Sequence, residues 1–592
     1  MGAVSHFRSN LQDLFFNLFD VHQIHTYSED LAGLDRDTMV DILREVERLA
    51  GDEWAASFVD ADRNPPVLVE GEVKLPESLK ASIRALQQGG WDLLGIPEEL
   101  GGTEVPPTLF WAVQELLLGA NPTAAFYVTG PLFARVIWEE GTPEQRRFAH
   151  EMVSRRWAGT MVLTEPDAGS DVGAATTRAV HVEGDTWHLE GVKRFITGGD
   201  HDAAENIVHL VLARPVGAGP GTKGLSMFIV PKYLVREDGT LGERNGVAVT
   251  HLESKMGLKG SATCELTFGV DRPCVGYLVG GVHDGIRQMF RIIQHARMTI
   301  GTKSASTLST GYLNALAYAK ERIQGPDLTR AADKTAPRVP IIRHPDVRRM
   351  LMIQKSMAEA LRALWTYTAW VQDQTLLQGP DSPWSSRFGL LLPVVKGYSS
   401  ERAYETLASS LQVLGGSGYI QDYPIEQYIR DAKIDTVYEG TTGIQALDLF
   451  FRKIVKDQGQ AVAALASEVA EFVKGGDGSD PLAAERELLG AMLEDAQAQL
   501  GAMVGYLTAG DVYRVGLHAT PFLFSFGEVV CAWQLLRHAE IAARRVDEAP
   551  FYRGKVAAAR FFVRQVAPLV AARRSAAETE DGSLMELPAE AF

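Results

Sequence analysis

Three segments of this 592-residue chain concentrate side chains able to do chemistry. YEGTTGIQ sets Glu439 just ahead of a helical stretch whose apolar face is Ile444, Leu447, Phe450, Phe451 and Ile454. A glutamate at that place either compensates the helix dipole or acts as a base, and the first use is the commoner. TEPDAGSD (164–171), followed by GVKRFITGGD (191–200), packs hydroxyls, carboxylates, a proline and a glycine into one turn-rich loop. Such a loop can turn backbone N–H groups toward a flat polar ligand or a phosphate, although most Gly/Asp clusters simply connect strands. LGGSG (414–418) is a flexible turn where backbone could approach a phosphate. Arg297, Arg322, Arg330, Lys334, Arg338, Arg343, Arg348 and Arg349 add positive charge that could receive phosphates. For any single member a solvated, salt-bridged surface is the simpler reading.

Other chemistries lack their signatures. No G-x-G-x-x-G follows a strand and no Walker A motif occurs. His201 and His209 lack helical i, i+4 spacing, and neither H-E-x-x-H nor G-x-S-x-G is present, so no catalytic metal and no hydrolase elbow are predicted. The net charge of −17, from 58 basic and 75 acidic residues, opposes binding to nucleic acid. Three cysteines make no disulfide framework and fit a reducing cytosol. The N-terminus reads as no signal peptide, and the longest apolar stretch, Phe522 to Trp533, is short and holds Glu528. The chain is therefore expected to be cytoplasmic, without a membrane span.

The elements that must position these residues fall into four zones. Residues 1–158 read as helices. In DRDTMVDILREVERLAG, Met39, Ile42, Leu43, Val46 and Leu49 recur at helical spacing, with Asp37 as cap and Gly51 as stop. In 142–159, Thr142 serves as N-cap and Pro143 as first helical residue. Residues 159–283 switch to short β-branched and aromatic runs (TWHLEG, NIVHLVLARP, GLSMFIVP, GVAVTHL, ATCELTFGV), predicting six or seven strands in an antiparallel sheet or barrel. Residues 284–455 are helical again: one long helix or two to about 325 with small central residues that suggest close packing, a Pro-punctuated basic loop, then helices from near Pro345 and near Leu391. Residues 456–592 form a fourth, helical zone with an acidic tail. The fold class is mainly α with an inserted β domain.

Taken together and in this order, TEPDAGSD, KRFITGG and LGGSGYIQDYPIEQYIRDAKIDTVYEGTTGIQ resemble the acyl-CoA dehydrogenase flavoenzymes over about residues 70–455. The start of the chain and FYRGKVAAARFF are similar to the long, actinobacterial-type branch with an extra C-terminal helical domain. The resemblance implies an N-terminal helical domain (1–158), a middle β domain (159–283), a C-terminal four-helix bundle carrying the FAD and acyl-CoA site (284–455), and a helical extension (456–592). It implies FAD as cofactor, with Leu163, Thr164, Gly169, Ser170, Phe195, Ile196, Thr197 and Thr441 beside it. Arg322, Gln412, Gly415 and Gly416 match positions that meet the FAD of a neighbouring subunit, implying a homodimer. Glu439 matches the catalytic base, and Arg297, Ser170 and Gly440 match substrate-binding positions. Phe195 stands where many members have Trp, Gly325 where many have Phe, and Gln294 where an Asp often supports the substrate-site arginine.

The implied reaction removes an α-proton and a β-hydride from an acyl-CoA thioester to give a trans-2-enoyl-CoA, the first step of fatty acid β-oxidation. Electrons would pass to an electron-transferring flavoprotein. A carboxylate with the ordinary pKa of about 4.3 is a poor base for such a proton, so the reading requires desolvation to raise Glu439. Competing expectations are an acyl-CoA oxidase using O2, a dehydrogenase of a sulfur-containing or branched acyl-CoA, and a non-catalytic flavin-binding interaction protein.

Overall fold

In the computed structural model, which describes residues 5–475 and 480–592, the chain divides into two compact units. One comprises chiefly Asp41–Pro106 and Leu116–Ala296; the other comprises Arg8–Val40, Pro107–Glu115 and Arg297–Phe592.

The first unit is built on an eight-stranded sheet: β1 (Ala158–Val162), β2 (Arg178–Glu183), β3 (Thr186–Thr197), β4 (Ile207–Pro215), β5 (Ser226–Pro231), β6 (Val247–Leu252), β7 (Thr263–Phe268) and β8 (Cys274–Leu278). The order is β6-β7-β3-β8-β5-β4-β1, with β2 paired to β3 and β4. Most pairs are antiparallel, but β1 and β2 each run parallel to β4. The expectation of a purely antiparallel sheet of six or seven strands therefore needs correction. The β2–β3 hairpin lies between β1 and β4 in sequence, which returns β4 in the direction of β1. Alternation along β4 and β5 sends Val208, Leu210, Leu212, Met227 and Ile229 into the core. There they meet Ile137, Phe148, Met152 and Trp157 from the segments preceding β1.

Two helix-end expectations are also revised. Asp35, rather than Asp37, caps Arg36–Leu49 by accepting from Thr38 N at 2.8 Å. Gly51 does not stop that helix, because the chain continues through a π turn at Ala50–Trp54. Thr142 and Gln145 exchange capping bonds of 3.3 Å ahead of Arg146–Ser154.

The helices of the second unit are α1 (Gly285–Glu321, from Arg297 onward), α2 (Pro345–Gln378), α3 (Pro383–Leu414), α4 (Ile425–Lys433), α5 (Thr442–Leu447), α6 (Gln460–Lys474), α7 (Ala483–Thr508), α8 (Val512–Ala543) and α9 (Pro550–Thr579). The long run after Gly285 is one helix of 37 residues. Its small residues do let a neighbour approach closely, since a Cβ at Gly301 would collide with Val395. The helix expected near Leu391 begins eight residues earlier, with Pro383 at its first position and Pro393 carried inside. The loop at 326–345 is closed by a small hairpin, Ile323–Pro326 with Arg338–Pro340.

Buried charge ties the extension into this unit. Arg362 (α2) donates to Asp13 at 2.7 Å, to Ser309 (α1) at 2.9 Å and to Glu115, while Lys555 (α9) pairs with Asp13 at 2.7 Å and Glu359 at 3.0 Å. Each acid is matched by a cation, the condition under which buried ions are tolerated. Burial pushes the Asp13 carboxyl up, but Lys555 and Arg362 outweigh it and hold the group well below the usual range.

By length and composition α8 could cross a membrane, so the apolar stretch runs further than Phe522–Trp533. Its most apolar window is 72% buried within the protein, and Glu528 in it pairs with Arg573 at 2.6 Å and Arg402 at 3.2 Å. α8 is thus a core helix of its unit. The acidic end forms the last turns of α9 and two short 3-10 turns, with Asp581 O accepting from Arg514 at 2.8 Å.

Candidate active site

In the first unit, the 163–170 loop follows β1 and is held against β3 by one buried ion pair. Glu165 accepts from Thr176 N (2.7 Å), Thr176 Oγ1 (2.9 Å) and Thr177 N (3.0 Å), and it meets Lys193 Nζ at 2.9 Å. Lys193 also donates to Leu163 O at 2.7 Å, and Arg194 N donates to Thr164 O at 2.9 Å. Burial raises Glu165, but Lys193 and the threonine donors overcome it and leave the carboxyl at about 2; burial lowers Lys193 to about 8. Both are charged at neutral pH. Leu163 and Thr164 are half-buried, whereas Gly169 and Ser170 are exposed.

Opposite this loop β3 carries a bulge. From Cys264 to Leu266 β7 advances two residues while β3 moves three, from Ile196 to Lys193. The surplus residue leaves Phe195 with φ +61°, in the left-handed region, and 56% exposed. The Arg194 guanidinium lies 4.9 Å from its ring centroid. A left-handed aromatic residue costs about 1–2 kcal/mol. Ile196 turns inward and is 2% exposed, and Thr197 is half-buried in register with Thr263.

In the second unit, Glu439 sits in the turn between the 3-10 segment Ile434–Thr436 and α5. It too is left-handed (φ +57°), followed by Gly440 at φ +86°. A Cβ on Gly440 would lie 2.8 Å from Gln445 Nε2, so the turn is shaped for glycine there. Three bonds fix its backbone. Gln445 Nε2 donates to Glu439 O (2.9 Å) and Gly440 O (3.1 Å), and Lys396 Nζ from α3 donates to Gly440 O (2.7 Å). Thr441 is exposed at the start of α5, while Thr442 donates to Glu401 at 2.6 Å.

The Glu439 residue keeps part of its surface open, yet enough protein surrounds the carboxyl that burial raises it to about 7, against the pull of Lys396 and Arg297. Arg297, on α1, is 6% exposed and donates to Asp448 at 2.6 Å, leaving its Nε without a partner. A carboxyl with that proton affinity and no hydrogen-bond donor among the described residues can take up a proton near neutral pH.

The remaining expected residues lie elsewhere in this unit. Arg322 follows α1, Gln412 lies in the last turn of α3 and Gly415 and Gly416 follow it; all four are exposed. Tyr318 OH donates to Ser417 at 3.3 Å, joining the two ends. At 1.5 Å per residue, Arg322 is about 38 Å along α1 from Arg297. One chain therefore presents two separate clusters in this unit, Arg297 with Glu439 and Gly440, and Arg322 with the glycine turn.

Family models match three segments: "Acyl-CoA dehydrogenase, middle domain" at 160–270, "Acyl-CoA dehydrogenase, C-terminal domain" at 283–452 and "Acetyl-CoA dehydrogenase C-terminal like" at 465–588. The broad-specificity linear acyl-CoA dehydrogenase FadE5 of Mycobacterium tuberculosis is 53% identical over 611 aligned residues, with all of each chain covered. This chain belongs to the acyl-CoA dehydrogenase family. Within that family it is also 36% identical to the 3-methylmercaptopropionyl-CoA dehydrogenase of Ruegeria pomeroyi, over 92% of each chain. Its fold matches an acyl-CoA dehydrogenase from Bacillus anthracis, solved with FAD, at a TM-score of 0.73 and 21% identity, covering 93% of this chain and 90% of that one. The long-branch resemblance and the mainly α fold with an inserted sheet are borne out.

Sequence reasoning about this acyl-CoA dehydrogenase family member missed the supporting charges. Glu165 and Lys193 lie inside quoted motifs but drew no role. Lys396 and Asp448 were not singled out, although each interrupts an apolar run (LLLPVVKGY and ALDLFF). A charge at such a place is almost never buried without a partner, and that was the available signal.

Proposed function

We propose that this chain is an FAD-dependent dehydrogenase of linear acyl-CoA thioesters, converting them to trans-2-enoyl-CoA in the cytoplasm and passing electrons to an electron-transferring flavoprotein. The observation that carries the reading is the Glu439 turn: a left-handed carboxylate residue locked by its own backbone bonds and raised to about 7. FadE5's description as broad-specificity and linear, at 53% identity, favours straight chains over the sulfur-containing substrate named for the 36% relative.

The residues present fit a flavin. Phe195 is a large aromatic displayed to the exterior on a strained bulge, an arrangement suited to a flat apolar ring, and Gly169 leaves open space that a side chain would fill. In the first unit Leu163, Thr164, Gly169, Ser170, Phe195, Ile196 and Thr197 would hold FAD; in the second, Thr441 is the proposed FAD contact. Arg322, Gln412, Gly415 and Gly416 of a second copy would complete the site in a homodimer, in keeping with the separation of Arg322 from Arg297. Bound FAD supplies a hydride acceptor. Glu439 takes the α-proton on its carboxylate, its raised proton affinity bringing it closer to that of the substrate carbon. Arg297, whose Nε has no hydrogen-bond partner among the described residues, and Gly440 would orient the thioester, and the Glu439 backbone N–H would meet enolate charge on the thioester oxygen.

The test is anaerobic addition of a straight-chain acyl-CoA to the flavin-loaded protein. Bleaching of the flavin in the wild type and its loss in Glu439→Gln is the expected result. Bleaching at the wild-type rate in Glu439→Gln would remove the assignment.

A further inference from the structure

Two charged side chains beside the Glu439 turn have no place in the reaction above. Lys396 is fully buried in the middle of α3, and its Nζ bonds Gly440 O at 2.7 Å, one residue from Glu439. Asp448 is 6% exposed at the end of α5 and holds Arg297, the other cation facing Glu439, at 2.6 Å. Burying an ammonium at such a position is costly, and the carbonyl of Gly440 alone is a weak return for a full charge. Asp435 does not neutralise it by contact, being bonded to Lys303 (2.6 and 2.8 Å) and to Tyr438 OH (2.8 Å). The Lys396 charge therefore remains available to Glu439.

We propose that Lys396 and Asp448 are positioning residues that set the proton affinity of Glu439 from opposite sides, Lys396 by adding positive charge beside it and Asp448 by neutralising that of Arg297. This rests on Glu439 being the base. The charged groups around the pair are few. Glu439 faces Lys396 and Arg297; Lys396 faces Asp435, Glu439, Arg297 and Glu401; Asp448 faces Arg297, with Arg452 at 3.7 Å and Lys453 beyond. Burial lowers Lys396 to about 8, so it is mostly charged where Glu439 titrates. The arrangement balances burial, which raises the carboxyl, against Lys396, held by a carbonyl, and Arg297, held by a carboxylate.

The two residues make predictions of opposite sign, which general damage to the turn would not do. In Lys396→Met an attractive charge is gone, so Glu439 should titrate about one pH unit higher; in Asp448→Asn the Arg297 charge is unquenched, so it should titrate lower by a similar amount. Lys396→Arg, which keeps the charge, should restore most of the wild-type value. The readout is the carboxyl stretch of Glu439 in the resting protein, identified by infrared difference against Glu439→Gln and titrated with pH; the pH midpoint of flavin reduction should move alongside it. Circular dichroism establishes that each variant is folded; Lys396→Gln stands in should Lys396→Met fail to fold, and Asp448→Ser should Asp448→Asn fail. Displacements in the same direction, or none in folded variants, would overturn the proposal. Because the infrared titration needs no turnover, it stands apart from the bleaching test: Glu439→Gln that still bleaches sinks the base assignment, whatever the titrations show.

Discussion

Two glutamates in two regions of the molecule meet opposite fates. Glu165, in the loop after β1, accepts three hydrogen bonds and a lysine and is pulled down to about 2. Glu439, in the turn before α5, has its neighbours' bonds directed at its backbone carbonyl and that of Gly440, and its carboxyl is driven up to about 7. Burial alone does not separate them, since Glu165 is the less exposed of the two and is the one pulled down. The placement of donors does: aimed at the carboxylate they make an anchor, and aimed at the backbone beside it they make a base.

The comparison breaks most visibly at Glu439 itself. Glu439→Gln should lower the rate of flavin reduction by about 10²–10⁴-fold, the usual contribution of a positioned general base, with the flavin retained. Stopped-flow absorbance measures it. On the other side, Glu165→Gln keeps an acceptor for its threonines but leaves Lys193 buried without a counter-charge. It should cost about 3 kcal/mol of stability by denaturant titration. A stability loss under about 1 kcal/mol would mean that the pair does not anchor the loop.

The pH signatures should also oppose. Glu165 is depressed in the folded protein, so its contribution is present above the unfolded value of about 4.5 and lost as pH falls toward about 2. Glu439 is raised, so stability tied to its protonated form is full below about 4.5 and lost as pH rises through about 7. Denaturation across pH should show Glu165→Gln flattening the acid limb and Glu439→Gln flattening the neutral one. The smallest effect on stability belongs to Phe195→Gly. Relief of the left-handed strain offsets the added chain entropy, so stability should stay within about 1 kcal/mol of wild type while FAD affinity falls. Unchanged affinity by fluorescence titration would remove Phe195 from the flavin reading.

The period of the sequence carried much of the fold. Alternation in NIVHLVLARP and GLSMFIVP marked β4 and β5, and the 3.6 period marked the long helices. What escaped was set by partners distant in sequence. Arg178–Glu183 reads as polar and became a strand because β3 and β4 pair with it. The start of α3 was hidden by Pro393, a residue that argues for a break until neighbouring helices hold it. At the site, YEGTT was readable as a motif, but the raised Glu439 carboxyl comes from burial by segments distant in the chain, against the pull of Lys396 and Arg297, and no spacing along the chain encodes that. The bulge that exposes Phe195 was equally invisible, since it arises from a mismatch between β3 and β7.

The central claim is that position 439 holds a carboxyl poised near neutrality. The pH dependence of the flavin reduction rate in the wild-type protein, with a straight-chain acyl-CoA under anaerobic conditions, tests it most directly. The account predicts a rate that rises with pH through a midpoint near 7 as Glu439 loses its proton. A midpoint near the ordinary carboxylate value of about 4.3, or a rate flat from pH 5 to 9, would contradict it.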